Sequence, residues 1–266
     1  MSDAGSGRFV GRRTYLDELA GWLSEARAGR GRLVLLAGYA GVGKTRLAEQ
    51  LAAAAGRAGV PAVWGRCPAD AGAPPLWPLR RIVARLPGGP WPVPAGDEEG
   101  FGSTAEGSAA ALFTRSVQLA DTIVAAARPG GLLVVVEDLH WADSGTVSAL
   151  GLVAAEVTGS RALVLGTARL PLEPGLTAAL LERPGVEHRV LRGLERAEIV
   201  DYLNAVAGGD VDHRYADLVA RQTAGNSLFV GVVARLLTER VSLRRYDAEA
   251  ARTALAGRPE VAALAV

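Results

Sequence analysis

The spacing of apolar residues predicts alternating strands and helices over most of the chain. Short, continuously apolar runs are typical of strands that are buried on both faces of a parallel sheet. Such runs occur at 32–38, 62–67, 131–138, 161–169 and 185–194. Between them, apolar residues recur at helical spacing at 14–29, 44–59, 76–86, 109–127 and 144–157. We therefore predict an α/β fold in three layers, with a parallel sheet between two layers of helices.

The pattern changes near Gly193, after which only helical periodicity remains. This change predicts a core at 1–193 followed by a small all-helical lid at 194–240. The stretch 87–107 is rich in Gly, Pro and acidic residues and has little periodicity, which predicts a mobile insertion in the core. Residues 241–266 are rich in Ala and Arg, and they form either a C-terminal helical segment or the start of a further domain.

Composition and charge exclude several classes of protein. The formal net charge is +1 over 266 residues, which provides no general attraction to nucleic acid or to anionic membranes. The apolar runs are far shorter than the roughly 20 residues of a spanning helix. A single cysteine, Cys67, and the lack of an apolar leader predict a cytoplasmic protein. The three histidines lack the spacing of zinc ligands.

The segment "GYAGVGKT" at 38–45 matches G-x-x-x-x-G-K-[ST], with a predicted strand before it and a predicted helix after it. Its glycines allow backbone N–H groups to converge on a polyphosphate, and the following helix adds its positive end. Lys44 is the only lysine among 29 basic residues, and a compact ammonium suits the β and γ phosphates better than a guanidinium does. We expect nucleotide contacts from Gly38, Ala40, Gly41, Val42, Gly43, Lys44, Thr45 and Arg46.

Two carboxylates end the apolar run of "LLVVVEDLHWAD". The carboxyl ends of parallel strands collect ligands, so Glu137 and Asp138 should approach the phosphates and a Mg²⁺ held by Thr45. We assign Glu137 to the metal and Asp138 to the attacking water, although the two roles can be exchanged. An Asp followed by a longer acid is the usual order in such nucleotidases. Because Asp138 is one methylene shorter, we expect slow hydrolysis or a reshaped water site.

Further candidate residues lie at the end of the run 161–169 or just after the run 131–138. Thr167 and Arg169 end the run 161–169, where either could contact the γ-phosphate, and a solvated arginine is the alternative for Arg169. Trp141 is either a packing residue or a functional one, and the same choice stays open for His140.

Six segments together resemble STAND-type AAA ATPase modules, which open large LuxR-type transcriptional regulators and some nucleotide cyclases. They are "FVGRRTYLDEL", "GYAGVGKTRLAEQLA", "GAPPLWPL", "EDLHWAD", "GTAR" and "GNSLFV", and they span about 8–240. The resemblance implies an ATP/ADP switch with nucleotide bound between the P-loop NTPase core and the helical lid. It also implies that Val10, Gly11 and Arg12 lie near the adenine and ribose, and that Asn226 begins the lid contact. Ser227 replaces a usual proline, which predicts a less rigid contact.

We therefore predict a Mg-ATP-binding, slowly hydrolysing switch module of a signal-responsive transcriptional regulator. Its effector or DNA-binding domains would lie on a longer or separate chain, and ATP-dependent homo-oligomerisation stays open. One alternative is an initiator-like AAA ATPase that does mechanical work on DNA. Another is a nucleotide-binding scaffold without turnover. The three differ in hydrolysis, which would be slow, fast and absent respectively.

Overall fold

The structure, a computed structural model, describes residues 9–69, 72–86 and 105–256. The chain divides into two compact units. The sheet unit comprises Leu16–Gly38 and Leu47–Val190, and the helical unit comprises Met1–Tyr15, Tyr39–Arg46 and Leu191–Val266, as far as these are described. The predicted division into a core at 1–193 and a lid at 194–240 stays a prediction.

The sheet unit contains five parallel strands with flanking helices, as predicted. The strands are β1 (Arg32–Gly38), β2 (Ala62–Arg66), β3 (Leu132–Glu137), β4 (Ala162–Arg169) and β5 (Val186–Val190), in the order β2-β3-β4-β1-β5. The register places Arg66 opposite Glu137 and Gly38 opposite Arg169. Arg66 and Glu137 therefore lie side by side at the carboxyl ends of β2 and β3.

The described helices up to β5 are α1 (Arg13–Arg27), α2 (Lys44–Arg57), α3 (Trp77–Val83), α4 (Ala105–Ala127), α5 (Ser144–Val157) and the short α6 (Pro174–Leu176). A 3₁₀ turn at Leu139–Trp141 and a π-helical turn at Thr177–Leu181 were not predicted, and neither was α6. The predicted insertion at 87–107 overlaps α4 at its last three residues, and 87–104 lie outside the described residues. None of the described helices is long and apolar enough to span a membrane.

Alternation along β3 sets the direction of its final acid. Val134 and Val136 belong to one buried cluster with residues of α3, α4 and α5. Successive side chains of a strand point to opposite faces, so Glu137 shares a face with Leu133 and Val135 instead. The acid thus lies on the face opposite that cluster.

The helical unit has its own core, formed by α7 (Arg196–Ala207), α8 (His213–Thr223), α9 (Ser227–Arg240) and α10 (Ala248–Leu255). Tyr215 is fully buried there, and Ala251 and Ala254 of α10 belong to the same apolar cluster. Helix α10 therefore packs with α7, α8 and α9.

Candidate functional site

The loop that follows β1 has the backbone conformation that its glycines predict. Gly41 and Gly43 adopt positive φ angles of 74° and 103°, a region that glycine enters without the steric penalty of a Cβ atom. The Nζ of Lys44 donates to the carbonyl oxygen of Tyr39 at 3.0 Å, and Lys44 is only 8% exposed. The only lysine of the chain is therefore folded back over the loop.

The remaining residues predicted for this loop frame the same turn. Gly38 is the last residue of β1, and Thr45 and Arg46 follow Lys44 in the first turn of α2. The loop is therefore followed directly by a helix N-terminus, as the motif requires.

Three donors from the start of α9 hold carbonyl groups of the loop. Asn226 Nδ2 donates to Ala40 O at 2.7 Å, and Ser227 Oγ donates to Gly41 O at 3.0 Å. The backbone N–H of Leu228 also donates to Gly41 O, at 3.0 Å. Asn226 caps α9 at the same time, because its Oδ1 accepts from the N–H of Leu228. The serine in the proline position thus adds a hydrogen bond to the loop.

Arg12 holds a further carbonyl of the loop from the N-terminal segment. Its Nη2 donates to Val42 O at 3.2 Å, and its Nη1 donates to Gly193 O at 3.3 Å. Arg12 is 5% exposed, and burial lowers the pKa of its guanidinium. The resemblance places Val10, Gly11 and Arg12 near adenine and ribose, which stays a prediction. The observed contacts of this guanidinium are with the carbonyls of Val42 and Gly193 and with the ring of Tyr15, whose centroid is 5.9 Å away.

These bonds determine which way the loop amides point. The C=O of one residue and the N–H of the next belong to one planar trans peptide and point in opposite directions. Outward binding of the carbonyls of Ala40 and Val42 therefore turns the N–H groups of Gly41 and Gly43 inward. Neither N–H donates to another group of the described residues. Inward N–H groups, Lys44 and a helix N-terminus are the donors that a polyphosphate site requires, and phosphate binding here stays a prediction.

Glu198 of α7 links the N-terminal segment to the helices of the same unit, and no local sequence pattern identifies it. Its Oε1 accepts from the backbone N–H of Arg12, and its Oε2 accepts from that of Glu195 at 2.9 Å. Gly11 has a φ of 74°, and a Cβ there would lie 2.6 Å from Glu198 Oε1. The positive φ angle therefore favours glycine at position 11, and a Cβ there would displace the Glu198 carboxylate.

The two acids after β3 have different surroundings. The Glu137 side chain is 5% exposed, and its Oε2 accepts from Arg66 Nη2 at 2.7 Å and from Arg66 Nε at 3.3 Å. This hydrogen bond raises the pKa of Arg66. Glu137 Oε1 is buried and has no hydrogen-bond partner among the described residues. Arg66 was not predicted as a site residue, because its role depends on the register of β2 and β3.

Asp138 follows in a left-handed conformation, with a φ of 60°. Its backbone N–H donates to Thr167 Oγ1 at 3.1 Å, and its Oδ2 lies 3.7 Å from Arg66 Nε. Thr167 thus helps to orient Asp138, and its proposed contact with a γ-phosphate stays a prediction. Arg169 is the exposed last residue of β4. Trp141 is 48% exposed beside His140, with ring centroids 5.2 Å apart, so it is not a core packing residue.

The oxygen donors at these positions fit magnesium. The described residues contain no group of three or more His, Cys, Asp or Glu side chains that could hold a metal. Mg²⁺ needs only one or two carboxylates when phosphates and water complete its shell. The unpartnered Oε1 of Glu137 and the hydroxyl of Thr45 are suitable ligands. Thr45 belongs to the helical unit and Glu137 to the sheet unit, so their joint binding of Mg²⁺ stays a prediction.

Solved structures with the same fold include several P-loop ATPases. A STAND (signal transduction ATPase with numerous domains) protein with a tetratricopeptide repeat sensor from Pyrococcus horikoshii is 18% identical, with a TM-score of 0.52. The match covers 93% of this chain and 32% of that protein, so the chain spans about a third of its length.

Two ORC proteins in complex with DNA also share the fold. Drosophila ORC bound to DNA has a TM-score of 0.61 at 14% identity, covering 96% of this chain and 62% of that one. Aeropyrum pernix ORC1 in complex with DNA has a TM-score of 0.53 at 18% identity, covering 96% and 67%. At these identities the likeness shows the fold alone. A comparison with curated proteins found no match.

A family model provides the more specific relationship. The model described as the AAA ATPase domain matches residues 8–165, which is more than half of the chain. The matched region includes the loop 38–45 together with Glu137 and Asp138. The chain therefore belongs to the AAA ATPase domain family.

Proposed function

We propose that this AAA ATPase domain is a Mg-ATP-dependent switch that hydrolyses ATP slowly within a signal-responsive transcriptional regulator. The observation that carries the proposal is the set of bonds from Asn226, Ser227 and Leu228 to the loop carbonyls. These bonds join the start of α9 to the same loop that would bind phosphate. A change of the loop on nucleotide binding would therefore change the hydrogen bonds that position α9. A bound nucleotide would bias the helical unit between two states.

Different residues of the site bind the phosphates and the metal ion. Lys44 and the inward amides of Gly41 and Gly43 bind the β and γ phosphates. Thr45 and Glu137 would hold Mg²⁺. When bound, this ion would neutralise negative charge on the phosphates.

Asp138 orients the attacking water and accepts its proton, and Arg169 contacts the γ-phosphate. Transfer requires the nucleophile to lie in line with the leaving group, and the short side chain of Asp138 reaches less far than a glutamate would. Slow hydrolysis follows from that shorter reach.

The regulatory context rests on resemblance. Six segments in the order found in LuxR-type regulators support it, and the similar Pyrococcus horikoshii protein is itself described as a signal transduction ATPase with a repeat sensor. We place the module in the cytoplasm, with its effector or DNA-binding domains on a longer or separate chain. The DNA-bound ORC proteins share only the fold, so mechanical work on DNA remains the alternative.

Binding is tested at Lys44, because selective ¹⁵N-lysine labelling gives a single backbone amide signal from the loop. We expect this signal to shift on addition of Mg-ATP and of Mg-ADP, to different positions. Lys44→Ala should bind neither nucleotide in calorimetry. An unshifted Lys44 signal at millimolar Mg-ATP would refute nucleotide binding at this loop and favour the scaffold alternative.

Turnover is tested by single-turnover hydrolysis, with the molecular mass recorded in ATP and in ADP. We expect a rate below about 1 s⁻¹, the lower end of ordinary enzymes, and its loss in Asp138→Asn. Asp121→Asn, an exposed change on α4, is the matched control and should hydrolyse at the wild-type rate. Rates in the ordinary range together with ATP-dependent assembly would contradict the switch and support the mechanical alternative.

A further inference from the structure

Arg12 joins three segments of the helical unit. Its side chain binds Val42 in the loop and Gly193 at the start of the C-terminal part, and its backbone N–H binds Glu198 of α7. We infer that Arg12 is a positioning residue for phosphate binding, whose guanidinium fixes the Val42–Gly43 peptide and couples it to the backbone at Gly193. The inference rests on the proposed function and deepens it by naming how the loop is coupled to α9.

Arg12 fixes the orientation of one peptide of the loop. Arg12 Nη2 holds the carbonyl oxygen of Val42 at 3.2 Å. The N–H of Gly43 lies on the opposite side of the same peptide plane and therefore points into the loop. Without the guanidinium, this peptide can rotate about its flanking bonds, because Gly43 has no Cβ to restrict it. One of the phosphate donors would then lose its fixed direction.

The hydrogen bonds of Arg12 also belong to a closed circuit within the helical unit. Gly193, held by Arg12, is followed by Leu194, whose N–H donates to Gly225 O at 2.6 Å. A Cβ at Gly193 would lie 2.4 Å from Ala224 O, so the two backbones are in close contact. The residue after Gly225 is Asn226, whose amide holds the loop from the other side. A shift of either contact with the loop is therefore transmitted to the other.

The charge and the planar shape of the Arg12 side chain suit this role. A buried cation costs free energy, and burial does lower the pKa of Arg12, with the carboxylates of Glu198 and Glu195 offsetting part of this effect. The planar fork of arginine reaches two carbonyls at once, which a single ammonium cannot do in the same geometry. Lysine at this position would keep the charge and lose one of the two contacts.

The test compares wild type, Arg12→Lys, Arg12→Ala and the exposed neighbour Arg13→Lys, with calorimetric titration of Mg-ATP and of Mg-tripolyphosphate. Tripolyphosphate has no base or ribose, so it measures the loop alone. We expect both ligands to bind about 10-fold more weakly to Arg12→Lys and about 100-fold more weakly to Arg12→Ala. Arg13→Lys should stay within about 2-fold of wild type, because Arg13 is exposed.

Each of the other outcomes contradicts either the role inferred for Arg12 or the proposed function. Weaker Mg-ATP with unchanged tripolyphosphate would place Arg12 on the base or ribose and overturn the inference. Unchanged binding of both ligands in both Arg12 variants would also overturn it, while ATP binding itself would stand. Absence of binding in wild type and in Arg13→Lys would refute the proposed function, and the inference with it. Arg12→Lys is the deciding variant, provided that its melting temperature matches that of wild type.

Discussion

Replacement of Arg66 by methionine removes the cation that pairs with Glu137 at the end of β3. Arg66 holds Glu137 Oε2 through two nitrogens, and the other carboxylate oxygen has no partner among the described residues. Methionine replaces the apolar stem of the arginine as far as Nε and removes the charged guanidinium. The substitution therefore leaves a buried carboxylate without its cation, and we expect the free energy of unfolding to fall.

The size of the effect follows from the exposure of the two partners. Two unit charges about 4 Å apart interact by about 1 kcal/mol in water and by about 4 kcal/mol at an effective dielectric constant of 20. Glu137 is 5% exposed but the Arg66 side chain is 60% exposed, so solvent screens much of the interaction. We expect a coupling energy of about 1 to 2 kcal/mol, below the range for fully buried pairs.

A double-mutant cycle with Arg66→Met, Glu137→Gln and the double variant measures this coupling by urea unfolding. Arg85→Met is the matched control, because Arg85 is on the surface and donates to the carbonyl of Trp64 in the same strand. Its cycle with Glu137→Gln should give no coupling. A coupling energy of Arg66 with Glu137 below about 0.3 kcal/mol would show that the ion pair does not hold the acid, and the reasoning would be wrong.

Three further predictions test the sheet unit. Gly65→Ala should lower the free energy of unfolding by about 2 to 3 kcal/mol, because the new Cβ would lie 2.3 Å from Pro78 O. Gly56→Ala in α2, with open space around it, should raise the free energy of unfolding by about 0.5 to 1 kcal/mol; equal effects in urea unfolding would contradict this contrast. Burial raises the pKa of the Cys67 thiol to about 12, so a disulfide reagent at about pH 8 should label it only slowly until urea unfolds the chain, and immediate labelling would exclude a protected thiol. Burial, aided by a neighbouring arginine, lowers the pKa of His188 below its unfolded value of about 6.5. The stabilisation from its neutral form is complete above that value and is lost as the pH falls, so His188→Gln should flatten the decline in stability between about pH 7.5 and 5.5, and an unchanged decline would refute this role.

The strands could be predicted because their pattern is unambiguous. Strands buried on both faces need continuous apolar runs, and the observed β1 to β4 agree with the predicted runs to within one residue at each end. The predicted fifth strand continued to 194, whereas β5 ends at Val190. The short helical turns at 174–181 contain too few residues to show a period.

Site residues could be predicted where they form a contiguous motif, and they could not be predicted where their partners are distant in sequence. The loop at 38–45 was evident because motif, strand and helix are contiguous in sequence. Arg66 and Glu198 were missed because their partners lie 71 and 186 residues away. Register and helix placement bring these groups together, and a single sequence does not encode register as a local pattern. Asn226 was identified only through the resemblance to a known family.

The carboxylate of Glu198 has a consequence for local unfolding. One oxygen closes the first turn of α7 at Glu195, and the other holds the N–H of Arg12. Fraying of that helical turn removes the acceptor of the N-terminal segment, so the two sites open as one cooperative segment. In hydrogen exchange, the amide protons of Arg12 and Glu195 should share one opening free energy, and Glu198→Ala should lower protection at both. The backbone at Arg12 and the first turn of α7 would then unfold and refold together.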